Sequence, residues 1–193
     1  MKATLRQTVI TVAILNLGYF GLEFGVARAI GSVSLFADSV DFLEDAAVNL
    51  LIALALGWSL ARRAKVGMAL AALLLVPGLA TLWTAWAKFN MPLPPEPVAL
   101  TATGLGALAI NLTCAFLLAR FREHSGSLTT AAFLSARNDA MANIAIVIAG
   151  GITAYTLSGW PDLLVGLGIA AMNADAAKEV WDAARNEHQA AKA

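Results

Sequence analysis

Apolar residues fill this chain in six long runs, separated by short polar or proline-rich breaks. The runs cover roughly residues 8–30, 35–60, 66–87, 98–119, 130–156 and 160–181. Each matches the ~20 residues a helix needs to cross the hydrocarbon core of a bilayer. The pattern predicts an all-α, polytopic membrane protein, a bundle of six transmembrane helices over residues 1–182 with a short tail at 183–193. The first run follows Met1-Lys-Ala-Thr-Leu-Arg6 and continues to about Ile30, too long for the apolar region of a signal peptide, so it is read as a retained helix. Pro77-Gly78 predicts a kink in the third run, and Trp83, Trp86 and Lys88 close it as interfacial anchors. Asn90 to Pro97, with four prolines, is a linker. The sixth run is broken by Asn173 and Asp175 before an amphipathic stretch from Lys178.

The polar positions inside these runs are the informative ones. The second run opens with Asp38, Asp41, Glu44 and Asp45, followed by Asn49. At ~3.6 residues per turn, positions 38, 41, 45 and 49 form one stripe and Glu44 projects away from it. Asp38 could cap a helix start, whereas Asp41 and Asp45 lie too deep for capping. An ionised group inside a bilayer costs several kcal/mol, so such a row faces a cavity, a partner or an ion. The fifth run repeats the theme with Ser135, Asp139 and Asn143 at four-residue spacing. Asn16 and Glu23 share a face of the first run. Asn16 reads as a helix-packing amide, and a buried Glu23 needs a partner or a proton.

Composition narrows the function classes. Of 193 residues, 59% are hydrophobic and 13% charged, with a mean hydropathy of +0.71 and a formal net charge of zero. No basic tract exceeds Arg62-Arg63-Ala-Lys65, which argues against nucleic acid as a partner. The one cysteine, Cys114, permits neither an intrachain disulfide nor a thiolate cluster. His124 and His188 fall outside the runs and read as solvated. Lys2 and Arg6 precede the first run, Arg62, Arg63 and Lys65 follow the second, and Arg120 and Arg122 follow the fourth. This distribution places both termini in the cytoplasm, which requires the even number of spans counted.

The second and fifth helices are then antiparallel and can bring Asp41 and Asp45 opposite Asp139 and Ser135. Three carboxylates and a hydroxyl can surround one divalent cation through oxygen alone, with Asn143 as a further amide-oxygen candidate. Carboxylates converging in low dielectric repel one another, and either protons or a cation relieve that repulsion. Competition between the two is the minimum machinery for exchange transport.

At this point the chain resembles the cation diffusion facilitator family of divalent-metal/proton antiporters, across nearly its whole length. The resemblance rests on Asn16, Glu23, Gly31-Ser-Val-Ser-Leu35, Ala37-Asp-Ser-Val-Asp41-Phe-Leu-Glu-Asp45, Asp139 and Asp162, the last matching an acidic residue that opens the sixth helix. The family's (His/Asp)xxxAsp motif falls on Asp41 and Asp45 in the second helix and on Ser135 and Asp139 in the fifth. Serine thus stands where the family has His or Asp. The resemblance implies export of Zn²⁺, Mn²⁺, Fe²⁺, Co²⁺ or Cd²⁺ as cargo with no permanently bound cofactor. It also implies a homodimer, a bacterial-type inner membrane, and a member without the cytoplasmic C-terminal domain most members add. Arg137, off the ligand face, is expected to pair with Glu44 or Glu23. Two other readings compete. Asp38, Asp41 and Asp45 also fit the DxxDxxxD motif of membrane prenyltransferases, and Ser135 would suit a non-transporting subunit of a hetero-oligomer.

Overall fold

The computed structural model describes residues 4–55, 58, 65, 79–90, 92–121 and 127–190. They form α1 (Leu5–Ile30), α2 (Val33–Ala55), the part of α3 at residues 79–89, α4 (Pro97–Ala119), α5 (Ser127–Thr156) and α6 (Trp160–Ala190). The fold is all-helical. By length and composition α1, α4 and the Ser135–Thr156 part of α5 can each cross a membrane. At 23 residues α2 is also long enough, but its four carboxylates make it unfit to face lipid. It is accordingly the central helix, packed against α1, α4, α5 and α6.

The helix boundaries follow local chemistry. Thr4 starts α1 through a capping box, its hydroxyl accepting from the Gln7 N–H while the Gln7 side chain accepts from the Thr4 N–H. Gly31 ends α1 at φ 66°, the left-handed conformation that glycine adopts without a Cβ clash. Ser32 follows and caps α2, its hydroxyl accepting from the Leu35 N–H at 3.1 Å. The Glu96 side chain caps α4, accepting from the Val98 and Ala99 N–H groups. Several boundaries depart from the hydropathy reading: α1 begins at Leu5 rather than 8 and α2 at Val33 rather than 35. α5 begins at Ser127 rather than 130, and α6 runs unbroken to Ala190, through Asn173, Asp175 and the expected start of a separate tail. Hydropathy registers only lipid contact, and a helix continues wherever backbone bonds and a partner face continue. The Pro77-Gly78 kink and the basic loop Arg62-Arg63-Ala-Lys65, apart from Lys65, lie outside the described residues.

Packing is layered along the bundle. One apolar cluster joins Val9, Val12, Ile52, Ala53, Cys114, Leu118 and Ala136 at the end holding the α1 N-terminus. A second joins Ala27, Leu35, Ala37, Leu100, Ile146 and Ile169 toward the opposite end. Most of the buried polar side chains of α1, α2, α4 and α5 lie between the two. Ile14, Leu17, Leu112, Phe116, Met141 and Ile148 are exposed on the outer surface, where a bilayer would solvate them.

Asp162, in the first turn of α6, ties α6 to the start of α2. Its carboxylate is fully buried and accepts from the Ser32 hydroxyl (2.6 Å), Val33 N–H (2.8 Å), Ser34 N–H (3.1 Å) and Ser34 hydroxyl (2.6 Å). Lys88 of α3 pairs with it at 3.9 Å. The carboxylate thus satisfies N–H groups that a helix N-terminus leaves unpaired, at the positive end of the α2 dipole. Gly166 permits the close approach, since a Cβ there would stand 2.8 Å from the Ser34 nitrogen. Asp162→Ala should lower stability by on the order of 3 kcal/mol, because several buried donors lose their acceptor together. Glu96→Ala, at an exposed cap, should cost about 1 kcal/mol. Denaturant unfolding in detergent micelles, followed by circular dichroism, compares the two.

Candidate functional site

Asp41, Glu44 and Asp45 of α2, Ser135, Asn138 and Asp139 of α5, and Met172 and Asn173 of α6 line one cavity of about 120 Å³. Four of these eight are carboxylates and none is cationic. The antiparallel packing of α2 and α5 creates the juxtaposition, and α6 closes the third side. Asp45 is the most firmly held. Its Oδ1 accepts from the Ser135 hydroxyl at 3.0 Å and its Oδ2 from the Asn16 Nδ2 at 3.4 Å. Asn16 is oriented in turn by the Cys114 thiol, which donates to its Oδ1 at 3.5 Å. Since Ser135 gives its hydrogen to Asp45, its oxygen lone pairs remain for the cavity.

The cavity gathers Asp41, Asp45, Ser135 and Asp139 from the sequence-derived set and omits Asn143. The Asn143 amide is fully buried and engaged elsewhere, donating to Asp38 at 2.5 Å and accepting from Asn111 Nδ2 at 3.0 Å. Eight residues separate it from Ser135, about 12 Å along the helix axis, too far to share so small a site. Glu44 departs in the opposite sense, since it lines the cavity. It lies about 100° from Asp45 but only about 60° from Asp41, inside the arc that the cavity subtends on α2. Arg137 is exposed and donates to its neighbour Asn138 at 3.3 Å, pairing with neither Glu44 nor Glu23. Asp38, in the interior of α2 and fully buried, caps nothing and turns away from the cavity. The DxxDxxxD arrangement is thereby divided between two places, which removes the geometric basis of a prenyltransferase.

Asn138 and Asn173 were not among the sequence candidates. Asn138 stands three residues beyond Ser135, as Glu44 does beyond Asp41, and the i, i+3 neighbours on both helices complete the lining. Asn173 was legible as a polar break in the sixth run. Among the described residues no group of three His, Cys, Asp or Glu side chains is arranged to hold a bare ion. The carboxylates line a space with room for water, which suits a cation that keeps part of its hydration shell.

Thiol accessibility tests this partition directly. In a Cys114→Ala background, a hydrophilic maleimide should label Asn138→Cys and fail to label Asn143→Cys, read by mass shift on intact protein.

A family model described as the cation efflux transmembrane domain matches residues 9–185. The chain is also similar to a cation-efflux pump, FieF, of Salmonella arizonae, at 29% identity over 185 residues, covering 87% of this chain and 59% of the relative. The chain therefore spans somewhat more than half of that relative's length.

Proposed function

The chain belongs to the cation efflux transmembrane-domain family, a family of multi-pass membrane transporters rather than enzymes, and from that premise we propose that it exports a divalent transition-metal cation from the cytoplasm in exchange for protons. One observation carries the reading: among the described residues, a small cavity between α2, α5 and α6 is lined by four carboxylates and no cationic side chain. Asp41, Asp45 and Asp139 act as anionic ligands, and Ser135 contributes a neutral oxygen. Asn143 is left out of the ligand set because its amide is already engaged. Four carboxylates gathered in low dielectric demand compensation, and cargo or protons supply it alternately. Ser135 and Asp139 fall in the first half of α5, the half of the bundle that holds the α1 N-terminus. With both termini cytoplasmic, as the basic loops indicate, the cavity lies toward the side from which an exporter loads. The reading includes a homodimer in a bacterial-type inner membrane.

Replacing Asp41, Asp45 or Asp139 by Ala should each abolish metal uptake into inside-out proteoliposomes under a pH gradient, with the folded protein retained. Glu44→Gln removes one of four charges without a designated ligand role. It should raise the half-saturating metal concentration about tenfold and leave transport measurable. Full uptake by the Asp45→Ala protein would overturn the ligand assignment. A C-terminal reporter active only outside the cytoplasm would overturn the orientation.

Selectivity provides a second test. A site of carboxylate, hydroxyl and water oxygens suits Mn²⁺ or Fe²⁺ relatively better than an imidazole-containing site does, although Zn²⁺ binds more tightly than Mn²⁺ at most sites. Ser135→His should therefore raise Zn²⁺ transport relative to Mn²⁺, and Ser135→Ala should leave the ratio nearly unaltered. Competition between the two metals at fixed pH measures it.

A further inference from the structure

A second acidic site lies apart from the cavity, between α1 and α2. Glu23 and Asp38 are both fully buried, and neither lines the metal cavity. Both carboxyl oxygens of Glu23 and the Oδ1 of Asp38 are sealed from solvent without a hydrogen-bond partner. The two groups nevertheless stand within hydrogen-bonding reach of one another. Two ionised carboxylates are acceptors only, so neither can satisfy the other. One proton between them supplies a donor and pairs one Glu23 oxygen with Asp38 Oδ1.

The surroundings decide where that proton resides. The Asn143 amide, held by Asn111 of α4, donates to Asp38 Oδ2 and leaves Oδ1 free to accept from Glu23. Glu23 receives no such donor. The Tyr19 hydroxyl faces the pair from α1 but donates to the Thr103 carbonyl of α4 at 2.6 Å. Asp41 of α2 and Asp139 of α5 act on the pair electrostatically. From α6, Asn173 reaches the Ala37 carbonyl at 3.5 Å, and Asp162 is occupied at the α2 N-terminus. Among the described residues no Lys, Arg or His forms an ion pair with either carboxylate.

We propose that Glu23 and Asp38 form a proton-binding site separate from the metal cavity, in which the Glu23 carboxylic acid donates to the Asp38 carboxylate, and that this site couples metal movement to the pH gradient. The inference rests on the transport reading above and adds a separate carrier of charge to it. Asp38 precedes Asp41 by three residues, about 4.5 Å along the axis of α2. A divalent ion at Asp41 favours departure of the proton, taking the pair from one negative charge to two. Loss of the ion favours its return. One O–H bond breaks at Glu23 and one proton passes to water that reaches the pair as the transport cycle opens it, so the step needs no other reactant.

Glu23→Gln is the decisive variant, because its amide N–H can donate to Asp38 as the acid would but cannot leave. In proteoliposomes with Zn²⁺ as the probe, it should cut accumulation driven by a pH gradient about tenfold or more, while Zn²⁺–Zn²⁺ exchange at equal pH persists. Infrared difference spectra of the metal-free protein should contain a protonated-carboxyl band that Glu23→Gln removes and Zn²⁺ diminishes. Equal loss of accumulation and exchange, unaltered gradient-driven accumulation, or absence of the band would overturn the proposal. Failure of Glu23→Gln to fold would do the same, since the amide reproduces the bond. Accumulation driven by a Na⁺ gradient at equal pH would replace the proton by Na⁺ and also refute it. A wild-type protein that moves no metal would defeat the transport reading alone, and the infrared band would still decide the shared proton.

Discussion

Carboxylates cannot be left facing hydrocarbon, and α2 carries four of them along its first half. The part of α2 that bears them must therefore be packed against protein, and α1, α4, α5 and α6 supply that packing, while Leu50 and Leu54 near its end remain exposed. The polar groups of those neighbours are placed to meet it. Asn16 of α1 and Ser135 of α5 hold Asp45, Asn143 of α5 holds Asp38, and Asp162 of α6 receives the backbone at its start. The helices that can cross a membrane on composition alone, α1, α4 and most of α5, are those whose outer faces remain apolar. Burial of α2 and lipid exposure of its neighbours are two sides of one constraint.

The hydrogen bonds around α2 differ in what they leave free. Asp162 accepts four and retains no role beyond structure, binding α2, α3 and α6 into one corner. Asp45 accepts only two, one through each oxygen, and still lines a cavity. Glu23 accepts none. Folding stability rises with the number of satisfied buried groups, whereas binding of a cation or a proton needs oxygens that remain available. The gradation from Asp162 through Asp45 to Glu23 runs from structural support to oxygens that remain available.

Much of this was legible in the order of residues. Six apolar runs and the alternation of basic loops specify a polytopic helical protein, because a bilayer constrains length and hydropathy so tightly. The four-residue spacing of Asp41 with Asp45, and of Ser135 with Asp139, identified half of the cavity lining, because an α-helix projects such pairs onto one face. The same rule misplaced the rest. A stripe drawn along one helix excluded Glu44 and admitted Asn143, since it assumes a narrow line of contact extending indefinitely along the axis. A cavity instead subtends a wide arc over a short length, so it takes in the i, i+3 neighbours Glu44 and Asn138 and stops before Asn143.

The sequence by itself determined the number and apolar character of the runs and the acidic positions set inside them, which follow from local geometry and solvation. Tertiary structure alone decided which polar groups meet. Asp162 reaches the start of α2 across 128 or more positions of chain, and Asn143 reaches Asp38 across 105. Whether a buried carboxylate is a lock, a ligand or a proton carrier depends on how many donors neighbouring helices bring to it. Those donors are set by helix packing, which no periodicity within a single helix encodes.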